Sequence, residues 1–255
     1  MTASSTSLPQ PERPDIAVVV PVRNEAGNIS PLVAEIARAL AGRRFEIIYV
    51  NDGSTDGTEA ELKALMTVHP FLRTVTHAKS CGQSSAVATG VAAARAPIVV
   101  TIDGDGQNDP AFIPALADKL IAGAPRVGLV AGQRVGRKAS GYKKLQSRIA
   151  NRVRAAILRD GTRDSGCGLK AFPRDLFLRL PLFDGLHRFL PALVRREGFT
   201  VDYVDVVDRQ RLHGTSNYGM WDRLWVGILD LFGVWWLIRR RKRVPQVSEV
   251  FPNAD

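Results

Sequence analysis

The residues of this sequence whose types and spacing best suit chemistry are two carboxylates flanking a glycine, Asp103–Gly104–Asp105. Two acids two positions apart in an extended loop direct oxygens toward one hard divalent cation, and Gln107 offers a third oxygen. Such a cation neutralises the charge that builds on a departing diphosphate. Two further polar runs accompany the acidic loop, Pro21-Val22-Arg23-Asn24-Glu25 and Asn51-Asp52-Gly53-Ser54-Thr55-Asp56. Acidic groups gathered at one rim repel one another unless a cation or a set of donors sits among them. A plain structural reading stands beside this one: Asp-Gly pairs form turns, and Asp56 is placed to cap a following helix. An EF-hand is excluded by spacing. Counted from Asp52 the twelfth position is Lys63; counted from Asp103 the sixth is Asn108 and the twelfth Pro114. No G-x-G-x-x-G follows the first apolar run, which removes a dinucleotide site.

The elements that must position these runs are legible in the first 130 residues. Apolar, β-branched stretches at 16–20, 46–50, 72–76, 98–102 and 127–131 predict strands. Helical periodicity at 29–41, 58–68, 84–94 and 111–122 alternates with them, with Pro31 and Pro110 in first helical turns. Nearly continuous apolar strands separated by helices predict a mostly parallel α/β sheet covered on both faces. Ligands in such sheets bind beyond the carboxyl ends of the strands, where all three polar runs fall. After residue 131 the pattern loosens. It predicts a basic loop at 133–142, an amphipathic helix at 144–157 and a glycine-rich turn at 165–168. Short helices at 174–180 and 188–197, a strand at 200–206 and a last helix at 221–240 complete the pattern.

Charge divides the chain. Residues 1–125 carry 10 Lys and Arg against 13 Asp and Glu, whereas residues 126–255 carry 25 against 12. The second half therefore suits an anionic partner: a phosphorylated substrate, a membrane surface or nucleic acid. Two cysteines, Cys81 and Cys167, make neither a disulfide framework nor a zinc motif, which suits a reduced, cytoplasmic setting. Residues 1–14 read as a disordered Pro/Ser tail without the apolar core of a secretory signal.

The ordered set PVRNE, NDGSTD and DGDGQNDP resembles the family 2 glycosyltransferases of the GT-A fold, and within them the dolichyl- and polyprenyl-phosphate sugar synthases. The resemblance spans residues 15–218. It implies that Pro21, Asn24 and Glu25 line a nucleoside pocket, that Asp52 receives the base and that Asp56 supports that loop. Asp103 would face the ribose and metal, and Asp105 with Gln107 would ligate Mg²⁺ or Mn²⁺. Arg134, Lys143, Ser147 and Arg148 match the segment that holds an acceptor phosphate in that family. Asp164 falls where the family has an acid near the reacting sugar. Arg211 and Ser216 match a segment that closes over the donor diphosphate, although Asn217 replaces a frequent lysine. The implied reaction is inverting transfer of one sugar from a UDP- or GDP-linked donor to a polyprenyl phosphate, catalysed through Asp103, Asp105, Asp164 and Arg211. Its alternatives are a family 2 enzyme glycosylating a lipid or polysaccharide hydroxyl, and a non-catalytic binder of RNA or acidic lipid. The acidic rim argues against a nucleic-acid partner.

On a helical wheel Trp221, Trp225, Ile228, Phe232, Trp235 and Trp236 share one face. The apolar run 224–238 is about 22 Å long, short of a bilayer core of about 30 Å. With the basic cluster at 239–243, residues 219–243 read as a helix lying in an anionic membrane interface on the cytoplasmic side, followed by a polar tail at 244–255. The alternative is that this face packs on the protein core.

Overall fold

The computed structural model describes residues 13–135, 157–158, 161–162, 164–209 and 220–240, with 220–228 as backbone only. Among the described residues seven strands form one sheet: β1 (Ile16–Val22), β2 (Phe45–Asp52), β3 (Leu72–His77), β4 (Ile98–Thr101), β5 (Val127–Arg134), β6 (Lys170–Pro173) and β7 (Thr200–Val206), in the order β3-β2-β1-β4-β6-β5-β7. All pairings are parallel except those of β6, which runs antiparallel between β4 and β5. The helices are α1 (Ile29–Ala39), α2 (Thr58–Met66), α3 (Gln83–Ala93), α4 (Ile113–Ala122), α5 (Arg174–Phe177), α6 (Leu190–Arg196) and α7 (Met220–Arg239), with 3-10 turns at Pro110–Phe112 and Leu186–Arg188.

Strand periodicity explains why both faces are covered. In β1, Ile16, Val18, Val20 and Val22 join one core with Ile29, Leu32, Leu62 and Leu116 from α1, α2 and α4. The alternate residues Ala17 and Val19 face the other core, with Val87, Leu176, Leu193 and Val234 from α3, α5, α6 and α7. A strand buried on both faces has no polar side, hence the continuous apolar runs. Burial of each Val, Leu or Ile side chain stabilises by about 1.5–3 kcal/mol, which anchors β1 and β2 as rigid mounts for the loops at their ends. The α3 helix lies close to the sheet: a Cβ at Gly90 would fall 2.4 Å from Val19 Cγ1, so only glycine fits this crossing.

The structure departs from the sequence reading in three places. Strand β6 was not predicted, and it makes the sheet mixed. The helix expected at 111–122 begins as a 3-10 turn, because Pro110 opens it and Asp109 Oδ1 accepts from Ala111 N at 2.9 Å. Of the aromatic face expected on the last helix, the side chains of Trp221, Trp225 and Ile228 lie outside the described residues, and Phe232, Trp235 and Trp236 do not share one environment. Leu231, Trp235 and Ile238 pack with buried Val234 against the core, whereas Leu229 (71%), Phe232 (61%) and Trp236 (54%) are exposed. Among the described residues no helix is long and apolar enough to cross a membrane.

Candidate active site

The carboxyl ends of β1, β2, β4 and β5 converge on one rim, and the residues beyond them are stitched together. Asn24 adopts a left-handed conformation with φ of 57°, which an Asn side chain tolerates by bonding locally. Its Oδ1 accepts from Thr55 N at 2.8 Å, and its own N–H donates to Ser54 Oγ at 3.0 Å. Glu25 N donates to Thr58 Oγ1 at 3.0 Å, and Glu25 Oε2 accepts from Asn28 Nδ2 at 2.7 Å. Asp56 accepts from Thr58 N at the start of α2 and from Ala26 N, so it ties the first two loops together. Pro21 sits beneath the acidic loop: a Cβ at Gly104 would lie 3.2 Å from Pro21 O and 2.3 Å from Val22 Cγ1. Glycine between the two acids is therefore what lets the acidic loop rest on the end of β1.

Asp52 is 4% exposed and engaged on both oxygens. Oδ1 meets His77 Nδ1 at 2.7 Å and Cys81 N at 2.8 Å; Oδ2 accepts from Ser80 Oγ at 2.7 Å and Gly82 N at 2.9 Å. Burial alone would raise this carboxyl, but the bonds from Cys81, His77, Ser80 and Gly82 together hold it below its usual range. Asp52, to which the resemblance gives the nucleotide base, is bonded here to the end of β3 and the loop that leads into α3. His77 Nε2 in turn meets Thr89 Oγ1 at 2.9 Å. Asp52, His77 and Cys81 bring possible metal-ligand atoms within 4.8 Å of one another, but this hydrogen-bond network already accounts for the acid and the imidazole.

Asp103 is the least settled carboxylate of the rim. Gln83 Nε2, at the start of α3, donates to its Oδ1 at 2.9 Å. Burial, then the charge of Asp105, pushes its pKa up to about 6, against the pull of Lys170 and Arg134. Asp105 Oδ1 accepts from Gln107 N at 3.1 Å, and Gly106 takes a positive φ of 73° to turn the loop. A pair of carboxylates held together at the cost of a raised pKa, with hard oxygen donors and a neighbouring amide, fits a divalent cation.

On the far side Arg134 leaves the end of β5 and forks onto Asp164, with Nε to Oδ2 at 2.5 Å and Nη2 to Oδ1 at 2.8 Å. Its Nη1 reaches Asp208 Oδ2 at a longer 3.4 Å. Burial works against this cation, yet the bonds to Asp164 and the charge of Asp208 hold its pKa above the ordinary value. Two residues assigned separate roles from sequence, Arg134 and Asp164, are thus one ion pair. Lys143, Ser147, Arg148, Arg211 and Ser216 lie outside the described residues, as does most of the helix expected at 144–157.

Sequence reasoning missed four contributors. Lys170, 3% exposed, sits in β6 and donates to Cys167 O and, at 3.5 Å, to Ser165 O. Burial holds its ammonium below the usual lysine range, against the attraction of Cys167, Asp103 and Asp164. A lone charge inside the apolar run Leu169-Lys170-Ala171-Phe172 was the signal for it. Gln83 carried no such signal. Asp208 bridges to Asn108 and Arg134, and the adjoining Arg209 N donates to Gln107 O at 2.8 Å. His187 meets Ser84 Oγ at 2.8 Å, joining α3 to the Leu186–Arg188 turn.

Residues 17–180 match the model of glycosyl transferase family 2. The chain belongs to that family. Its similarity to the dodecaprenyl-phosphate galacturonate synthase of Rhizobium johnstonii is 33% identity over 235 residues, covering 90% of this chain and 69% of that one. The undecaprenyl-phosphate 4-deoxy-4-formamido-L-arabinose transferase of Aeromonas hydrophila matches at 29% over 80% of this chain, which spans 63% of that relative's length. In three dimensions this family 2 chain shares its fold with glucosyl-3-phosphoglycerate synthase of Mycobacterium tuberculosis, solved with Mn²⁺, UDP and glucosyl-3-phosphoglycerate. The TM-score is 0.66 at 23% identity, covering 89% of this chain and 80% of that one. The mannosyltransferase PcManGT of Pyrobaculum calidifontis, solved with GDP-Man and Mn²⁺, superposes with a TM-score of 0.65 at 25% identity, covering 91% and 66%. The GT-A expectation for the fold therefore holds.

Proposed function

We propose that this protein transfers one sugar, with inversion, from a nucleoside-diphosphate sugar to a polyprenyl phosphate at the cytoplasmic face of a membrane. The observation that carries the donor half is the acidic loop, where Asp103 and Asp105 crowd together beside α3 with hard oxygens and a raised carboxyl pKa. The acceptor half rests on the relatives, which are named for dodecaprenyl and undecaprenyl phosphates.

Asp103, Asp105 and Gln107 are the residues to hold Mg²⁺ or Mn²⁺, which when bound supplies charge neutralisation to the leaving diphosphate. Asn24 and Glu25, fixed by the Ser54–Thr58 segment, form the wall on which the nucleoside would lie. A phosphate acceptor is already an anion at neutral pH, so the protein needs no strong general base and works mainly by positioning and electrostatics. Arg134 suits the acceptor on one edge only. The fork to Asp164 fixes its plane, whereas the 3.4 Å contact from Nη1 to Asp208 is the one an incoming phosphate would replace. Lys143, Ser147 and Arg148 would complete that grip, and Arg211 with Ser216 would cover the donor. The exposed Leu229, Phe232 and Trp236, beside Arg239 and Arg240, would rest on anionic lipid.

The test offers UDP- and GDP-linked sugars in turn, with a short polyprenyl phosphate and Mn²⁺ or Mg²⁺, and extracts the lipid product. A labelled lipid phosphate sugar is expected from one donor, with Asp105→Ala lowering the rate by about 100-fold or more. Label appearing only on a lipid or polysaccharide hydroxyl would overturn the acceptor, and full activity in Asp105→Ala would overturn the metal site.

A further inference from the structure

Gly168 lies in the turn before β6, and its role is set by what its missing side chain would strike. A Cβ built there falls 2.3 Å from Asp103 Oδ2, 2.4 Å from Asp103 Cγ and 2.6 Å from Asp103 Oδ1. Unlike Gly106, Gly168 does not have a positive φ, so the backbone itself makes no demand for glycine. The demand comes from the carboxylate. The turn cannot easily yield, because it is fixed on three sides. Thr101 Oγ1 donates to Gly168 O at 2.7 Å, the buried Lys170 donates to Cys167 O, and Gly132 N donates to Leu169 O at 2.9 Å. Gln83 Nε2 holds Asp103 Oδ1 at 2.9 Å. The carboxylate therefore meets both an amide donor and a bare backbone.

We propose that Gly168 is a positioning residue for Asp103, the bare turn forming a seat that fixes where this carboxylate presents its oxygens. The proposal deepens the reading of Asp103 as part of a metal-nucleotide site, and its link to metal rests on that reading. Substituting alanine drives the carboxylate off its seat and disturbs its bond to Gln83, leaving the strands in place.

A double-mutant cycle tests the seat without metal or substrate. Gly168→Ala is expected to lower Tm by several degrees in the otherwise native chain and to have little effect in an Asp103→Ala background, where the overlapping carboxylate is gone. Equal losses in both backgrounds would overturn the proposal. If the single variant fails to fold, recovery of folding on adding Asp103→Ala shows the same coupling at its extreme; no recovery refutes it. In the metal-free protein the Gln83 side-chain amide resonance is expected to shift on Gly168→Ala, and an unchanged resonance would count against the seat. Mn²⁺-dependent UDP or GDP binding, followed calorimetrically, is expected to weaken about tenfold in Gly168→Ala; undiminished binding would deny a positioning role. If the native chain shows no Mn²⁺-dependent binding of either nucleotide, the metal reading fails, while the cycle and the resonance still decide the seat.

Discussion

At the residue scale, neighbouring charges and donors set what each acid of the rim can do. Asp52 and Asp103 stand at the ends of β2 and β4, yet one is held low by four donors and the other pushed up by burial and Asp105. With a pKa of about 6, Asp103 is mostly a carboxylate at pH 7.5 and mostly protonated at pH 5. A proton competes with any cation for the same oxygens. Calorimetric titration of Mn²⁺ with UDP or GDP should therefore show affinity falling as pH drops through this range; a flat profile would remove Asp103 from the ligand set. Folding alone follows the opposite sign. A carboxyl raised in the native state makes the metal-free protein gain stability as pH falls through that value. The Arg134–Asp164 fork makes a second prediction. Arg134→Ala strands a half-buried carboxylate and should cost about 2–3 kcal/mol in urea unfolding. A loss below about 0.5 kcal/mol would mean that the fork is a surface pair of little weight.

At the element scale, the site depends on α3 more than the spacing of the motifs suggested. Its first turn presents Gln83 to Asp103 and Ser84 to His187, and the segment leading into it wraps Asp52. Burial, then the charges of Lys170 and Arg188, depress the His187 pKa to about 3 from an ordinary 6.5. A depressed pKa means that the unfolded chain binds the proton first. His187 thus contributes stability fully above pH 6.5, and that contribution drains away between 6.5 and about 3. Urea unfolding across that window should show a shallower acid loss in His187→Gln than in the native sequence; identical slopes would rule this origin out. Strand β6 explains why part of the site escaped sequence reading. Its four residues, Lys170–Pro173, are too few for period-two alternation to register, and the strand includes a lysine and a proline, both poor strand formers. The parallel strands β1, β2, β4 and β5 were legible because each is buried on both faces, largely apolar and bounded by polar turns.

At the scale of the molecule, charge and apolar surface are segregated. The acidic rim belongs to the first half of the chain, and the excess of Lys and Arg to the second. The exposed side of α7 continues that basic half, with Arg240 placed 5.8 Å from the ring centroid of the exposed Trp236. Phosphatidylglycerol-containing vesicles should bind the protein, with affinity falling steeply between 50 and 500 mM salt, roughly, as surface attraction is screened. Phe232→Ser combined with Trp236→Ser should reduce that binding about tenfold or more, as measured by co-sedimentation. Equal binding to neutral vesicles, or no effect of the pair, would argue against a membrane surface as the partner.

The Asp103–Gly104–Asp105 loop, its place beyond a parallel strand and the nearness of the Asn24 and Asp52 runs were set by the sequence alone. Strand periodicity and chain order bring those ends to one rim whatever the details of packing. The tertiary structure decided which charges meet. Arg134 and Asp164 are 30 positions apart, Gln83 and Asp103 are 20 apart, and both pairs form only once the sheet is assembled. It decided also that Gly168 lies against Asp103 and that Lys170 is buried, because β6 inserts antiparallel between β4 and β5. A sequence states the kinds of groups present; their protonation and partners depend on distances of a few ångströms that only the packed chain fixes.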